Sequence, residues 1–170
     1  ARLRAELELQ RAEPTAALKT IEAAEQLGSR DPKLLLLKAA AWEQLGRLEE
    51  ATRLRERLVA ISPSPGLFRL LAEARAAAGD QTGRQKFLAR AERLEGLVAY
   101  RRNDPADALT HFEEATRLDP ANTSAWYHRG EMLFHLDRLT EATESLEKAL
   151  SIDPCDGRSR RLQTIVAEYR

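Results

Sequence analysis

The chain has 170 residues, 43% of them hydrophobic, so it is long enough to bury a core and too apolar to remain disordered. Its 27 Lys and Arg residues balance 27 Asp and Glu residues, and a net charge of zero disfavours nucleic acids and anionic membranes as partners. No apolar run approaches the roughly 18 residues of a membrane span, so we expect a soluble chain without membrane insertion in this segment, in the cytoplasm or the periplasm.

Ala, Leu, Glu and Arg are abundant, as in long helices, which predicts an all-α fold. The one cysteine, Cys155, excludes an internal disulfide and any multi-cysteine metal site. Arg outnumbers Lys by 22 to 5, a bias typical of GC-rich bacterial genomes. Because the chain begins at Ala1 and its one methionine is Met132, we expect a processed chain or a fragment of a longer one.

The first predicted elements are a half or degenerate repeat over residues 1–31 and a full repeat over residues 32–64. Pro14 suits the first turn of a helix, where its missing N–H has no partner to lose, and Ile21 and Ala24 follow at helical spacing. The second copy is marked by its small and large apolar residues and its turn residues, which are Leu35, Ala39, Trp42, Gly46, Ala51, Leu58 and Pro63.

An irregular repeat is predicted over residues 65–88, beginning near Phe68 and turning at Gly79. Ala72 and Gly96 occupy equivalent places in successive copies, yet their separation falls about ten residues short of the period of about 34 residues that relates the better copies. Residues 86–102 contain no proline and only one glycine. They therefore form either one long helix or two helices with almost no loop, and a normal turn near residues 89–93 would contradict the long helix.

Two regular copies follow over residues 89–122 and 123–156. Residues 157–170 are predicted to form a closing helix or, equally, the first half of another repeat. The closing helix carries apolar residues such as Leu162 and Val166 at helical spacing. A shift by one period superposes the two copies, laying Gly96 on Gly130, Ala108 on Ala142, Phe112 on Leu146, Ala115 on Ala149 and Pro120 on Pro154.

These positions resemble the tetratricopeptide repeat, in which a large residue, Leu-Gly, an aromatic, a turn, Ala, an aromatic, Ala and Pro recur over about 34 residues. The resemblance covers nearly the whole chain and is strongest over residues 123–156. It implies one domain over residues 1–170, a right-handed superhelix of antiparallel helix pairs with an irregular junction near residues 80–96. Each pair then buries its apolar face by stacking on its neighbour.

The resemblance also implies a scaffold or adaptor that binds a segment of a partner protein in a concave groove lined by the first helix of each pair. Aromatic and Arg residues are the commonest interface hot spots, which favours Tyr100, Tyr127 and Phe134 with Arg93 and Arg101 as anchors; Tyr127 and Phe134 could instead pack between helices. The groove positions are Lys33, Leu36, Glu43, Arg69, Glu73, Arg93, Tyr100, Arg101, Tyr127, His128, Glu131, Phe134 and His135.

Catalytic chemistry is not expected. His128, Glu131 and His135 share one helix side, but the two imidazoles lie about two turns apart, too far for one metal ion, so we expect no metal and no cofactor. Chaperone-binding members of the family hold a carboxylate with Lys and Asn, where this chain has Tyr127 and Glu131. The second hypothesis is a structural subunit built permanently into a larger complex, or a homo-oligomer, through the end helices.

Overall fold

The computed structural model describes residues 1–169 as ten α-helices without a β-strand, which confirms the all-α prediction. Arg170, the last residue of the predicted closing helix, lies outside the described residues. In chain order the helices are α1 (Arg2–Gln10), α2 (Pro14–Gln26), α3 (Pro32–Gln44), α4 (Leu48–Ile61), α5 (Pro65–Ala77), α6 (Gln81–Arg101), α7 (Pro105–Leu118), α8 (Thr123–His135), α9 (Leu139–Ile152) and α10 (Gly157–Glu168).

The chain divides into two compact units, which we call unit 1 (residues 1–78, helices α1 to α5) and unit 2 (residues 79–170, helices α6 to α10). The sequence predicts a single repeat domain, and its repeat boundaries remain a prediction. Within each unit, consecutive helices pack on one another. No helix among residues 1–169 is long and apolar enough to cross a membrane.

Helix starts follow from the sequence. Proline occupies the first turn of α2, α3, α5 and α7, where it removes no hydrogen bond. Six helices begin after a side chain that accepts a hydrogen bond from a backbone N–H of the first turn, which satisfies one of the free donors there. These capping residues are Asp31, Ser64, Asp80, Asp104, Asn122 and Asp156.

Helix pairs are joined by tight turns that contain a residue with positive φ. Ala12 and Gly46 occupy this position in unit 1, and Asn103 and Asp137 occupy it in unit 2. Within each unit the two turn residues are separated by one sequence period, so the backbone repeats in step with the apolar pattern. Gly and Asn tolerate this conformation best, and Ala12 adopts it at some conformational expense.

The irregular junction contains one continuous helix. α6 runs through residues 89–93 without a turn and is 21 residues long, so the long-helix alternative is correct. Gly96 lies inside this helix and is buried. A Cβ built there would lie 2.8 Å from Phe112 Cε1, which explains why a residue that weakens helices is present at the crossing of α6 and α7.

The core of unit 2 is formed by Phe112, Met132, Leu133, Leu146 and smaller neighbours. The α8–α9 crossing repeats the α6–α7 arrangement, because a Cβ at Gly130 would lie 3.0 Å from Leu146 Cγ. Unit 1 contains two smaller apolar clusters, one between α1, α2 and α3 and one between α3, α4 and α5. In unit 2 the helices of each pair therefore cross as predicted, with a glycine on one helix under a large side chain of the other.

Candidate functional site

A polar cluster on α8 brings together three of the predicted groove residues. The Tyr127 hydroxyl donates to Glu131 Oε1 at 2.9 Å, and His128 Nδ1 lies 3.1 Å from Glu131 Oε2. The His128 ring also stacks on Phe112, with 5.1 Å between ring centroids. One carboxylate thus fixes two aromatic side chains, and the cluster is anchored to the core beneath it.

The pKa values of Tyr127 and Glu131 are shifted in directions that preserve their usual charge states at neutral pH. Burial raises the pKa of Tyr127 to about 12, and the hydrogen bond to Glu131 adds to the effect. For Glu131, burial alone would raise the pKa, but the hydrogen bonds from His128 and Tyr127 outweigh it and lower the pKa. Tyr127 therefore stays a hydrogen-bond donor while Glu131 stays ionised.

A second group of predicted residues joins α6 and α8. The Tyr100 hydroxyl lies 3.4 Å from His135 Nε2, and their rings are 5.7 Å apart. Phe134 contacts His135 and stands edge-on to Tyr169, at 5.5 Å. His135 faces Tyr100 and His128 faces Glu131, so the two imidazoles have different partners. Among residues 1–169, no group of three His, Cys, Asp or Glu residues is arranged to hold a metal ion.

Two arginines belong to the surface around the α8 cluster. The guanidinium of Arg158, on α10, covers the Tyr127 ring at 4.8 Å and makes an ion pair of 3.2 Å with Asp156. Arg93, on α6, is half-buried. Burial and repulsion from Arg158 and Arg90 lower the pKa of Arg93. Arg101, the other predicted anchor, is exposed at the end of α6.

Tyr127 and Phe134 also contribute to packing. Both are half-buried and lie against the core of unit 2, and Tyr100 is the most exposed of the three predicted aromatic residues. The two alternatives weighed from the sequence therefore coexist in these side chains, since each has one edge on the core and one edge towards solvent.

The predicted groove residues of unit 1 do not form a single cluster like the one on α8. Lys33 is exposed and its backbone N–H donates to Asp31, while Leu36 packs against the α3–α5 cluster. Glu43 accepts hydrogen bonds from Arg55 on α4, one of them at 2.6 Å from Nη2. Arg69 and Glu73 are exposed on α5.

Three side chains that contribute to these arrangements lie outside the groove positions predicted from the sequence. Arg158 lies on α10 and Tyr169 directly follows it, and helical spacing alone does not show that these residues contact Tyr127 and Phe134. Arg55 is only 3% exposed. The sequence alone could have pointed to Arg55, because this residue aligns with Phe112 and Leu146 in the repeats and is the charged residue among the three.

Comparisons with known proteins agree with the repeat pattern. A family model described as tetratricopeptide repeat matches residues 2–65 and 93–156. The mitochondrial import receptor subunit TOM70 of Saccharomyces cerevisiae is 30% identical over 109 residues, 59% of this chain and 17% of that protein. The probable N-acetylglucosaminyltransferase SPINDLY of Solanum lycopersicum is 40% identical over 60 residues, 35% of this chain and 6% of that protein. The chain thus spans a small part of these relatives.

Among solved structures, YrrB, described as a TPR protein with an unusual peptide-binding site, is 19% identical, with a TM-score of 0.48 over 94% of this chain and 88% of that one. The TPR2AB domain of yeast Sti1, solved as a complex with pHSP90, is 17% identical, with a TM-score of 0.47 over 99% of this chain and 82% of that one.

Proposed function

Because the chain belongs to the tetratricopeptide repeat family, we propose that it is a protein-interaction scaffold whose unit 2 binds an acidic segment of a partner protein. The surface involved, which we call the arginine–tyrosine surface, consists of Arg93, Tyr100, Tyr127 and Arg158. It lies on α6, α8 and α10, the helices that would line the groove in this family. The match to an import receptor subunit supports the same class of function.

The main support for the proposal is that Arg93 is partly buried without a charged partner among residues 1–169. The side chain is half-buried, and it has no ion pair or hydrogen bond with any described residue. Desolvation without a compensating partner is unfavourable for a cation, and two neighbouring arginines add repulsion. A carboxylate from a partner would supply the missing charge, and the planar guanidinium would bind it through two parallel hydrogen bonds.

The aromatic residues give this surface its apolar part. Tyr127 presents its ring to Arg158 while its hydroxyl is held by Glu131, so the ring is fixed before a partner arrives. Tyr100 is oriented by His135. Rigid tyrosines beside arginines supply large contact area at a small loss of side-chain entropy, as in interface hot spots.

Glu131 does not oppose an acidic partner as strongly as its charge suggests. Its two oxygens already accept hydrogen bonds from Tyr127 and His128, so its charge is held towards the cluster and its hydrogen-bonding capacity is largely used. The surface differs from the Lys and Asn arrangement of chaperone-binding members, and we therefore propose recognition of acidic side chains in a segment and not of a chain terminus.

The test is an array of immobilised twelve-residue peptides of random composition, probed with the whole chain. We expect Asp and Glu to be enriched among the bound peptides, and Arg93→Met and Arg158→Met to remove that enrichment. Arg84→Met is the matched control, because Arg84 is exposed on the same helix as Arg93. Enrichment of Lys and Arg, or equal effects of all three variants, would refute the proposal.

A second candidate function is a permanent structural subunit. It is favoured by Leu3 and Leu7, which are 71% and 53% exposed on one face of α1 and would gain from cover by another chain. Analytical ultracentrifugation of the purified chain distinguishes the two. A monomer at micromolar concentration supports the scaffold, whereas self-association abolished by Leu3→Gln with Leu7→Gln supports the structural subunit.

A further inference from the structure

A cavity of about 590 Å³ lies within unit 1, between the beginning of α4 and the end of α5. This volume falls within the range of ligand-binding clefts. One wall is formed by Leu48 and Thr52, and the opposite wall by the alanines of α5. The full lining is Glu43, Leu48, Glu49, Thr52, Arg53, Glu73, Ala74, Arg75, Ala77 and Ala78.

The walls of the cavity are mostly aliphatic. The short side chains of three α5 residues, Ala74, Ala77 and Ala78, do not fill the cavity. Leu48 lies at its edge and is largely exposed. The Thr52 hydroxyl already donates to the Leu48 carbonyl at 2.9 Å, so Thr52 adds little free hydrogen-bonding capacity. The interior therefore suits a hydrocarbon chain.

The charges at the rim are unequal once the internal ion pairs are considered. Arg53 is paired with Glu49 at 3.1 Å, and Arg75 is paired with Glu56 at 2.8 Å. Glu43 is held by Arg55. Glu73 is exposed and makes no ion pair or hydrogen bond with a described residue. One carboxylate is thus left unneutralised at the mouth of an aliphatic cavity.

We infer that this cavity receives a lysine or arginine side chain of a partner protein, with its aliphatic stem along Ala74 and Ala77 and its cation beside Glu73. Long basic side chains combine an apolar stem with a charged end, which matches both parts of the cavity. A purely apolar group would cover Glu73 without offering it a partner. An acidic group would meet three carboxylates and two arginines that are already paired.

This site shares no residue with the arginine–tyrosine surface, and it is proposed to bind a basic group where that surface is proposed to bind an acidic one. It uses only residues of unit 1, and the substitutions that test it leave Arg93 and Arg158 unchanged. The proposal therefore does not rest on the proposed function of unit 2, and either can fail without the other.

The experiment is an NMR titration of the isotope-labelled whole chain with three probes: the N-acetyl methylamides of arginine, norleucine and glutamate. We expect the arginine probe to shift the amide resonances of Ala74 and Ala77 saturably. Glu73→Gln should weaken its binding about fivefold, the upper range for an exposed charge pair, and Ala77→Leu should abolish binding by filling the cavity. Glu22→Gln, an exposed carboxylate of α2 outside the cavity, is the matched control.

Three results would overturn the inference. Binding of the norleucine probe as tightly as the arginine probe would show an apolar pocket without charge selection. Preferential binding of the glutamate probe would show that Arg53 and Arg75 dominate. Absence of saturable shifts at Ala74 and Ala77 with the arginine probe would show that the cavity does not bind a basic side chain.

Discussion

The α3–α4 pair of unit 1 and the two regular helix pairs of unit 2 fill the same repeat position with opposite chemistry. In unit 2, Phe112 and Leu146 are both fully buried at this position, where they pack over Gly96 and Gly130. In unit 1 the α1–α2 pair has the fully buried Ile21 at this position, but the α3–α4 pair has Arg55, which is 3% exposed and paired with Glu43. A helix pair can thus close over an apolar side chain or over an ion pair, provided that the facing residues change with it.

The facing residues do change. Glu43 aligns with Tyr100 and Phe134, and Ala39 aligns with Gly96 and Gly130. In unit 2, Phe112 and Leu146 face glycine. In the α1–α2 pair, Ile21 faces Ala5, with Leu9 aligned with Glu43. Where the position carries arginine, the opposite helix has alanine and a carboxylate. The family pattern therefore describes sets of matched residues, and a change of one member alone should destabilise the pair.

The largest effect is expected when the charged residue of unit 1 is placed in unit 2. Leu146→Arg buries a cation opposite Phe134, with no carboxylate at the aligned position, and should lower the free energy of unfolding by about 4 kcal/mol or more. Urea denaturation measures it, with Trp126 fluorescence as the signal in a Trp42→Phe background.

The matched control for that substitution is the double variant Leu146→Arg with Phe134→Glu, which copies the Arg55–Glu43 pair. We expect it to recover part of the lost stability. A double variant no more stable than Leu146→Arg would show that the two positions do not act as a pair.

A smaller loss is expected from Gly96→Ala. The new Cβ would lie 2.8 Å from Phe112 Cε1, and such overpacking costs about 1 to 3 kcal/mol, which outweighs the helix-propensity gain of about 1 kcal/mol. Denaturation of the single variant and of Gly96→Ala with Phe112→Leu measures it. Relief in the second variant is the expected result, and stabilisation by Gly96→Ala alone would contradict the account.

The reverse transfer should stabilise unit 1. Replacing a buried ion pair by packed apolar residues is neutral to stabilising, so Glu43→Phe with Arg55→Leu should raise the free energy of unfolding by about 1 kcal/mol. Trp42 fluorescence in a Trp126→Phe background reports on this unit. Clear destabilisation would mean that the ion pair contributes more than the apolar pair found in unit 2.

The smallest effect is a pH dependence confined to the ion pair. Hydrogen bonds from Arg55 lower the pKa of Glu43 below its usual value of 4.5. The stabilisation is therefore present above that value and is lost as the pH falls through the lowered pKa. The stability difference between the wild type and Glu43→Gln should shrink between pH 7 and pH 3. A difference that persists at pH 3 would argue against ionic stabilisation.

The sequence predicts most of the helices because prolines, caps and apolar spacing act locally. For residues 86–102 the shortened spacing between Ala72 and Gly96 leaves two alternatives, one long helix or two helices with almost no loop, and the structure has the long helix. The side-chain contacts of the closing helix are beyond such reasoning, because the contacts of Arg158 with Tyr127 and of Tyr169 with Phe134 depend on packing between helices distant in sequence. The pairing of Arg55 with Glu43 was within reach of an alignment of the repeats.

The measurement that tests the account most directly compares stability and binding in Arg93→Met. If Arg93 is retained to bind a partner carboxylate, the variant should be more stable to urea than the wild type, because a desolvated and unpaired cation is removed. It should also bind an acidic peptide selected from the array about tenfold more weakly. A variant that is less stable, or that binds the acidic peptide as tightly as the wild type, would contradict the account.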